Sequence, residues 1–255
     1  MPRRRIRLCE HELPGPACMR GLKIAFVTDI HISNMYRPKA AEALFERINA
    51  LGADLILWGG DYAETLPHQR AFFSLLPRTG APLGMYGVLG NNDKECFGSA
   101  FPNLRRMAAK AGMRLLVNEQ AVVPWGGGRV FIGGMDEWKY GAPTARGFFR
   151  GAGENDLRVL LCHYPSSADA AFRTAAQPPQ LILSGHTHGG QIRLGGFSVY
   201  SLGYGRRYVK KSRLFFLSGW REIDGARMLV SNGVGESLLP IRFGAPRQIH
   251  RITVV

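Results

Sequence analysis

The chain lacks most of the features that assign a protein to a class at a glance. Its four cysteines (Cys9, Cys18, Cys96, Cys162) stand far apart and form no Cys-x-x-Cys pair. That excludes a thiolate metal knot, argues against a disulfide framework and points to a reducing compartment. No apolar run approaches the roughly 20 residues that cross a bilayer, and the basic start Met1-Pro-Arg-Arg-Arg is not followed by an apolar h-region. The expected location is therefore cytoplasmic, with peripheral attachment to the inner membrane face as a variant. Acidic residues are scarce as well: 19 Asp and Glu against 33 Lys and Arg give a net charge of +14. Such a balance favours an anionic partner, whether nucleic acid, acidic lipid head groups or a phosphorylated substrate. The basic residues are scattered and no nucleic-acid module is recognisable, so nucleic acid is the least favoured of the three.

What remains is an ordinary globular composition, 45% apolar and 20% charged over 255 residues, enough for one sizeable core. Residues 1–21 read as a basic, partly ordered N-terminal segment and 22–255 as one domain without repeat or linker. The apolar run 22–27 predicts a strand. Ala40, Leu44, Ile48 and Leu51 recur at helical spacing, predicting a helix over 39–51 that Gly52 terminates. Strands at 54–58 and 84–89 and a helix at 67–76 continue the alternation, the mark of an α/β fold with a largely parallel sheet. Further on, short strands are predicted at 113–117, 121–124, 129–133, 157–162 and 181–184, with a helix at 166–176. Alternating stretches at 198–202, 214–217, 227–231 and 248–255 suggest antiparallel strands. The expected fold class is α/β, two packed mixed sheets flanked by helices.

Five segments then carry the chemistry: Asp29-Ile30-His31, Gly60-Asp61, Gly90-Asn91-Asn92-Asp93, His163 and Gly185-His186-Thr187-His188. Four of the seven histidines lie in them, and each segment follows an apolar run. Each should therefore sit at a strand exit. Asp29 and His31 are two apart, as are His186 and His188. In extended chain each pair points to one face, where an oxygen and nitrogens can hold a cation together. Asp61 is placed to bridge two metals, Asn91 offers an amide oxygen and His163 a further nitrogen. Mixed nitrogen and oxygen donors suit manganese, iron or zinc, with manganese the expected ion.

The order Asp-x-His, Gly-Asp, Gly-Asn-x-Asp, His, Gly-His-x-His resembles the calcineurin-like metallophosphoesterases. The stretches 184–194, 230–235 and 239–246 are similar to the branch of YkuE- and YaeI-type bacterial phosphodiesterases. The resemblance implies a four-layer sandwich with a site for two divalent metal ions. One ion would be held by Asp29, His31, Asp61 and His188, the other by Asp61, Asn91, His163 and His186. It implies an enzyme that hydrolyses a phosphoester or anhydride bond, the paired metals clamping the phosphoryl oxygens and activating water.

Asn92 departs from the pattern. The family carries at this position a histidine that protonates the leaving oxygen, oriented by the aspartate that is Asp93 here. An amide cannot act as that acid, and Asp93 loses the orienting role. General-acid catalysis contributes roughly 10²–10⁴-fold, so the loss tilts the expectation towards a pyrophosphate or an activated diester, plausible in a lipid- or nucleotide-linked substrate. His68 is a candidate replacement acid. Uridine diphosphate diacylglucosamine pyrophosphatases resemble the chain in lacking the histidine, and that activity stays open, as do a nuclease and a catalytically impaired metal-binding scaffold. Finally, Tyr204 to Trp220 carries five basic residues beside an aromatic run. It reads either as a strand pair with a solvated face, or as a membrane-surface patch in which Phe215, Phe216 and Trp220 insert. Arg3, Arg4, Arg5 and Arg7 would add to such a patch.

Overall fold

The computed structural model describes residues 5–33, 36–77, 80–98, 101–194, 197–198, 212, 214–237 and 239–255. In chain order the first half holds β1 (Arg7–Leu13), β2 (Lys23–Val27), α1 (Pro38–Asn49), β3 (Leu55–Trp58), α2 (Leu66–Leu75), β4 (Met85–Gly87), α3 (Asn91–Phe97), α4 (Phe101–Lys110) and β5 (Met113–Leu115). There follow β6 (Glu119–Trp125), β7 (Gly128–Gly134), β8 (Leu157–Leu161), α5 (Ala168–Thr174) and β9 (Leu181–Ser184). The chain ends with the short β10 (Arg193–Leu194) and β11 (Phe197–Ser198), then β12 (Gly219–Ile223), β13 (Ala226–Val230) and β14 (Gln248–Val254).

Two six-stranded sheets result, ordered β1-β14-β2-β3-β4-β5 and β12-β13-β9-β8-β7-β6. Their central strands, such as β2, β3, β8 and β9, are short apolar runs because both faces are covered, the condition that removes polar alternation. In β2 the alternation instead separates two cores. Ile24 and Phe26 turn to the inter-sheet core with Leu57, Val159, Leu161 and Leu183. Ala25 and Val27 turn outward, under Leu44, Phe45 and Ile48 of α1 and Phe72 of α2. On the far side Leu160, Ile182 and Met228 meet Ala168 and Ala171 of α5. Helix, sheet, sheet, helix is the four-layer, mixed-sheet arrangement expected.

The N-terminal segment contributes a strand that the sequence reading did not place: β1 pairs in parallel with β14 over all seven of its residues. Its polar, half-exposed sequence is that of an edge strand, so no apolar run announced it. The predicted antiparallel tail is corrected in part. β13 pairs in parallel with β9 and antiparallel with β12, while β14 is antiparallel only to β2. Residues 214–217 are not a strand. The Leu217 carbonyl accepts from the Thr187 hydroxyl at 2.6 Å, and Leu214 and Phe216 are buried in the outer core. Phe216 is therefore unavailable for membrane insertion, and Trp220 is engaged with His11 through its indole N–H at 3.1 Å. Positions 199–202 and the basic stretch 204–211 lie outside the described residues, as do Arg3 and Arg4.

The exits of β3 and β4 approach each other closely. A Cβ on Gly90 would stand 2.0 Å from Asp61 Oδ1 and 2.5 Å from the Asp61 backbone nitrogen. A Cβ on Gly60, whose φ is +91°, would meet Gly90 N at 2.4 Å. Gly90→Ala should cost about 1–3 kcal/mol by overpacking, read as a lower denaturant midpoint at unchanged m-value. An unchanged midpoint would show that the two exits are not in this contact.

Candidate metal centre

In both parallel sets the carboxyl ends of the strands face one edge, the usual place for a site in α/β sheets. Asp29 and His31 follow β2, Asp61 follows β3, Asn91 opens α3 after β4, His163 follows β8, and His186 and His188 follow β9. The means of convergence differ from the extended geometry the spacing predicts. Asp29, His31, Asp61, His186 and His188 all adopt left-handed backbone, with φ between +49° and +68°. Such conformations cost of order 1–3 kcal/mol each and cluster at functional sites. Here the Asp29, His31, Asp61 and His188 side chains come into two adjoining groups, and His186 lies beside His163.

His31 Nε2 lies 3.5 Å from Asp61 Oδ2 and 3.9 Å from Asp29 Oδ1. His163 Nε2 is 3.3 Å from the same Asp61 oxygen, and His188 Nε2 is 3.6 Å from Asp29 Oδ1. Ligand atoms of Asp29, His31 and His188 all fall within 4.8 Å of one another, as do those of Asp29, Asp61 and His163. Asp29 is thus common to both groups, whereas the resemblance gives the shared role to Asp61. Asp61 Oδ2 nevertheless lies within reach of both His31 and His163. The other two predicted ligands border the His163 side. The His186 ring lies 3.7 Å from the Tyr164 ring, centroid to centroid, and 5.2 Å from that of His163. Asn91 Oδ1 accepts from the Tyr164 hydroxyl at 3.2 Å.

The donors are prepared for cations. His163 Nδ1–H donates to the Gly59 carbonyl at 2.8 Å, and His31 Nδ1–H donates to Glu64. Those partners fix the tautomers and leave the two Nε2 atoms buried without a hydrogen-bond partner, facing carboxylates. Outer partners commonly orient metal-binding histidines in this way. Burial disfavours charge on His31, yet the nearby Asp29 carboxylate, the bond to Glu64 and the Asp61 charge raise it to about 10. His163 is raised to about 9 against the same burial, chiefly by Asp61. Burial pushes Asp29 up, but the histidines around it, His188 foremost, hold it well below the usual carboxylate range.

His188 has the opposite polarity. Arg242 Nη2 donates to its Nδ1 at 3.0 Å, which places the ring proton on Nε2. A cation at Nε2 needs that proton on Nδ1, so Arg242 would transfer its donor to the carbonyls of His188 and Gly235, which it already serves at 3.2 and 2.9 Å. Arg242 lies in a stretch that carries the family resemblance, but nothing in the sequence marks its role. Glu64 and Tyr164 were equally unmarked.

Asn92 is in the site: its backbone N–H donates to Asp61 Oδ1 at 2.9 Å and its Nδ2 lies 3.2 Å from His31 Nδ1. Asp93 is fully buried, and its oxygens accept from the N–H groups of Asp61, Tyr62 and Gly90 and from the Gln69 amide, at 2.5–3.0 Å. It positions the Asp61 turn. His68 sits in the first turn of α2 with Nδ1 2.9 Å from Thr65 Oγ1, a local contact at the helix start.

Residues 22–190 match the family described as calcineurin-like phosphoesterase. The chain is 29% identical to a protein described as uncharacterized metallophosphoesterase YkuE of Bacillus subtilis (strain 168), over 98% of this chain and 85% of that one. It is 30% identical to YpbG of the same organism, over 91% and 81%. The solved structure of phosphopantetheinyl hydrolase PptH from Mycobacterium tuberculosis superposes with a TM-score of 0.46 at 13% identity, over 83% of this chain and 89% of that one. The family match ends at Gly190 and includes every candidate ligand. The chain belongs to the calcineurin-like phosphoesterases and is a metal-dependent hydrolase of phosphoric esters.

Proposed function

We propose that the protein hydrolyses a phosphodiester or pyrophosphate bond in a lipid- or nucleotide-linked substrate. Two divalent ions, manganese first among the candidates, would be held by Asp29, His31, Asp61, Asn91, His163, His186 and His188. The observation that carries this reading is the pair of buried Nε2 atoms, on His31 and His163, directed at Asp61 without a partner. When bound, the ions neutralise phosphoryl oxygens and lower the pKa of water to the neutral range. The chain supplies the rest. Asp61 and Asp29 set the negative charge of the cradle, and Gly59 and Glu64 fix the imidazole tautomers. The half-exposed Trp138 ring, 6.1 Å from the buried Tyr164 ring that packs against His186, offers support to a planar substrate group beside the centre.

Leaving-group chemistry supports the diester or anhydride. Asn92 presents an amide where the family places an acid, and His68 is bonded to Thr65. A substrate whose leaving oxygen needs no proton is the one this site is suited to turn over.

Three outcomes are expected. Hydrolysis of bis-p-nitrophenyl phosphate should require added metal. Asp61→Ala should lower kcat/KM by about 10³-fold or more, since metal-assisted stabilisation is worth several kcal/mol and each 1.36 kcal/mol is tenfold. A metal-free preparation turning over at the same rate would remove the reading. Across aryl phosphodiesters of rising leaving-group pKa, wild-type kcat should fall steeply and Asn92→His should flatten the slope, by at least tenfold for the poorest leaving group. A shallow wild-type slope would mean that an acid is present after all.

Metal affinity should also depend on pH. Protons and cations compete for His31 and His163, raised to about 10 and about 9. Both imidazoles are therefore protonated in the metal-free protein at neutral pH, and loading must release those protons. Affinity then rises with pH by up to roughly a hundredfold per unit below the lower value, two protons being displaced. Calorimetric titration with manganese in buffers of different ionisation enthalpy measures the release directly, and a value near zero at pH 7 would contradict the assignment.

A further inference from the structure

The segment that leaves the metal centre forms a ribbon whose polar and apolar faces are reversed. Leu194 of β10 pairs with Phe197 of β11, and Ile192 bridges in parallel to Phe243. Paired residues, and residues two apart on a strand, point to one side. Ile192, Leu194, Phe197 and Phe243 therefore share a face. It is turned to solvent: Leu194 is 71% exposed, Phe197 72% and Phe243 59%, whereas Ser198 is only 3% exposed. Ser198 lies beneath, where a Cβ added to Gly190 would touch it at 2.7 Å. Arg242, between the exposed Ile241 and Phe243, turns inward to His188. A one-sided sheet normally buries its apolar face and solvates the polar one. Here a serine and an arginine go in while leucine and phenylalanine go out. Five of the nine large hydrophobic side chains exposed among the described residues belong to this ribbon or to the adjoining residues 239–243. Single exposed apolar residues are ordinary, but a contiguous face marks an interaction site.

Charge selects the occupant. The protein carries +14, and the chain joining Ser198 to Leu214 has five basic residues and no acidic one. A second copy would bring like charge to the same face. An anionic lipid surface instead accepts apolar side chains at the acyl boundary and draws lysine and arginine to its head groups. We propose that the face formed by Leu194, Phe197, Ile241 and Phe243 docks the protein onto an anionic phospholipid bilayer. The inward-turned Arg242 ties this face to the metal centre, so docking would hold the centre at the head-group layer. This deepens the lipid-linked reading of the substrate, but the contact itself does not depend on catalysis.

The test is co-sedimentation of the full chain with phosphatidylcholine vesicles with and without phosphatidylglycerol, at low and high salt. Binding is expected only with phosphatidylglycerol, weakened by salt, and reduced at least about tenfold in Phe197→Ser/Phe243→Ser through the loss of inserted apolar area. Both side chains are exposed, so the denaturation midpoint of the double variant should match wild type, and Leu194→Ser provides a second variant should it not. Asp61→Ala should bind vesicles as wild type does. A phosphatidylglycerol-independent result, or substituted ribbons that bind undiminished, would overturn the proposal. So would a dimer in sedimentation velocity that the double variant disperses, since that assigns the face to a second copy. Loss of hydrolysis with vesicle binding intact removes the catalytic reading alone, and the converse removes only the docking.

Discussion

Two carboxylates shut away from water set the terms for the rest of this structure. Asp29 and Asp61 are 0% and 2% exposed, and among the described residues the cationic groups in ion-pair range of them are histidines. Buried charge is tolerated only when it is compensated. Protonated imidazoles supply partial compensation, as the raised His31 and His163 record, but neither makes a close ion pair with Asp61. At 3.5 and 3.3 Å the separations are too long for good charge-assisted hydrogen bonds, which run about 2.7–2.9 Å. They do leave room for an atom between the donors. A set of donors that nearly touch but do not bond is better explained by cations than by protons.

Holding that set open requires the backbone to be placed against its preferences. Five ligand candidates occupy left-handed conformations, and three glycines pack where any side chain would collide with them. A Cβ on Gly185 would stand 2.1 Å from Asp29 Oδ2, one on Gly233 2.5 Å from Asp29 Cβ, and one on Gly90 2.0 Å from Asp61 Oδ1. The strain is local, and the restraint is distributed. The turns are anchored by parallel pairs β2–β3 and β8–β9, whose side chains fill the cores between and outside the sheets. A rigid scaffold of this kind can keep otherwise unfavourable turns in register.

Much of this was legible in the residue order. The apolar runs at 22–27, 54–58, 157–162 and 181–184 declared central strands because both of their faces are buried, and the ligand segments followed each run directly. What escaped was information carried by partners distant in sequence. β1 is polar and half exposed, so only its pairing with β14 makes it a strand. The segment 214–217 looked like a strand by alternation, but Thr187 claims the Leu217 carbonyl. Of the three aromatic residues read as a membrane patch, Phe216 and Trp220 are engaged within the fold. Phe216 is buried against the outer core, while Phe197 and Phe243, separated by 45 intervening residues, meet on the exposed ribbon. Side-chain spacing pairs Asp29 with His31, which the fold brings together through left-handed and not extended backbone, whereas His186 and His188 part, one beside His163 and the other beside His31.

Asp93 shows how a chain can retain half of a catalytic pair. With a histidine beside it, the aspartate's role would be to orient the acid, and with Asn92 there that role is gone. Its oxygens are nonetheless fully engaged by Asp61, Tyr62 and Gly90 N–H groups and by Gln69. Removing the carboxylate would strand three buried backbone donors, at about 1–3 kcal/mol each, and would release the turn that aims Asp61. The constraint on position 93 is therefore structural and independent of position 92. Position 92 itself contributes to the frame through its backbone N–H, which any residue but proline supplies, while its side chain faces His31. Of the two, position 92 is thus the one whose side chain can change while the Asp61 turn keeps its hydrogen bonds.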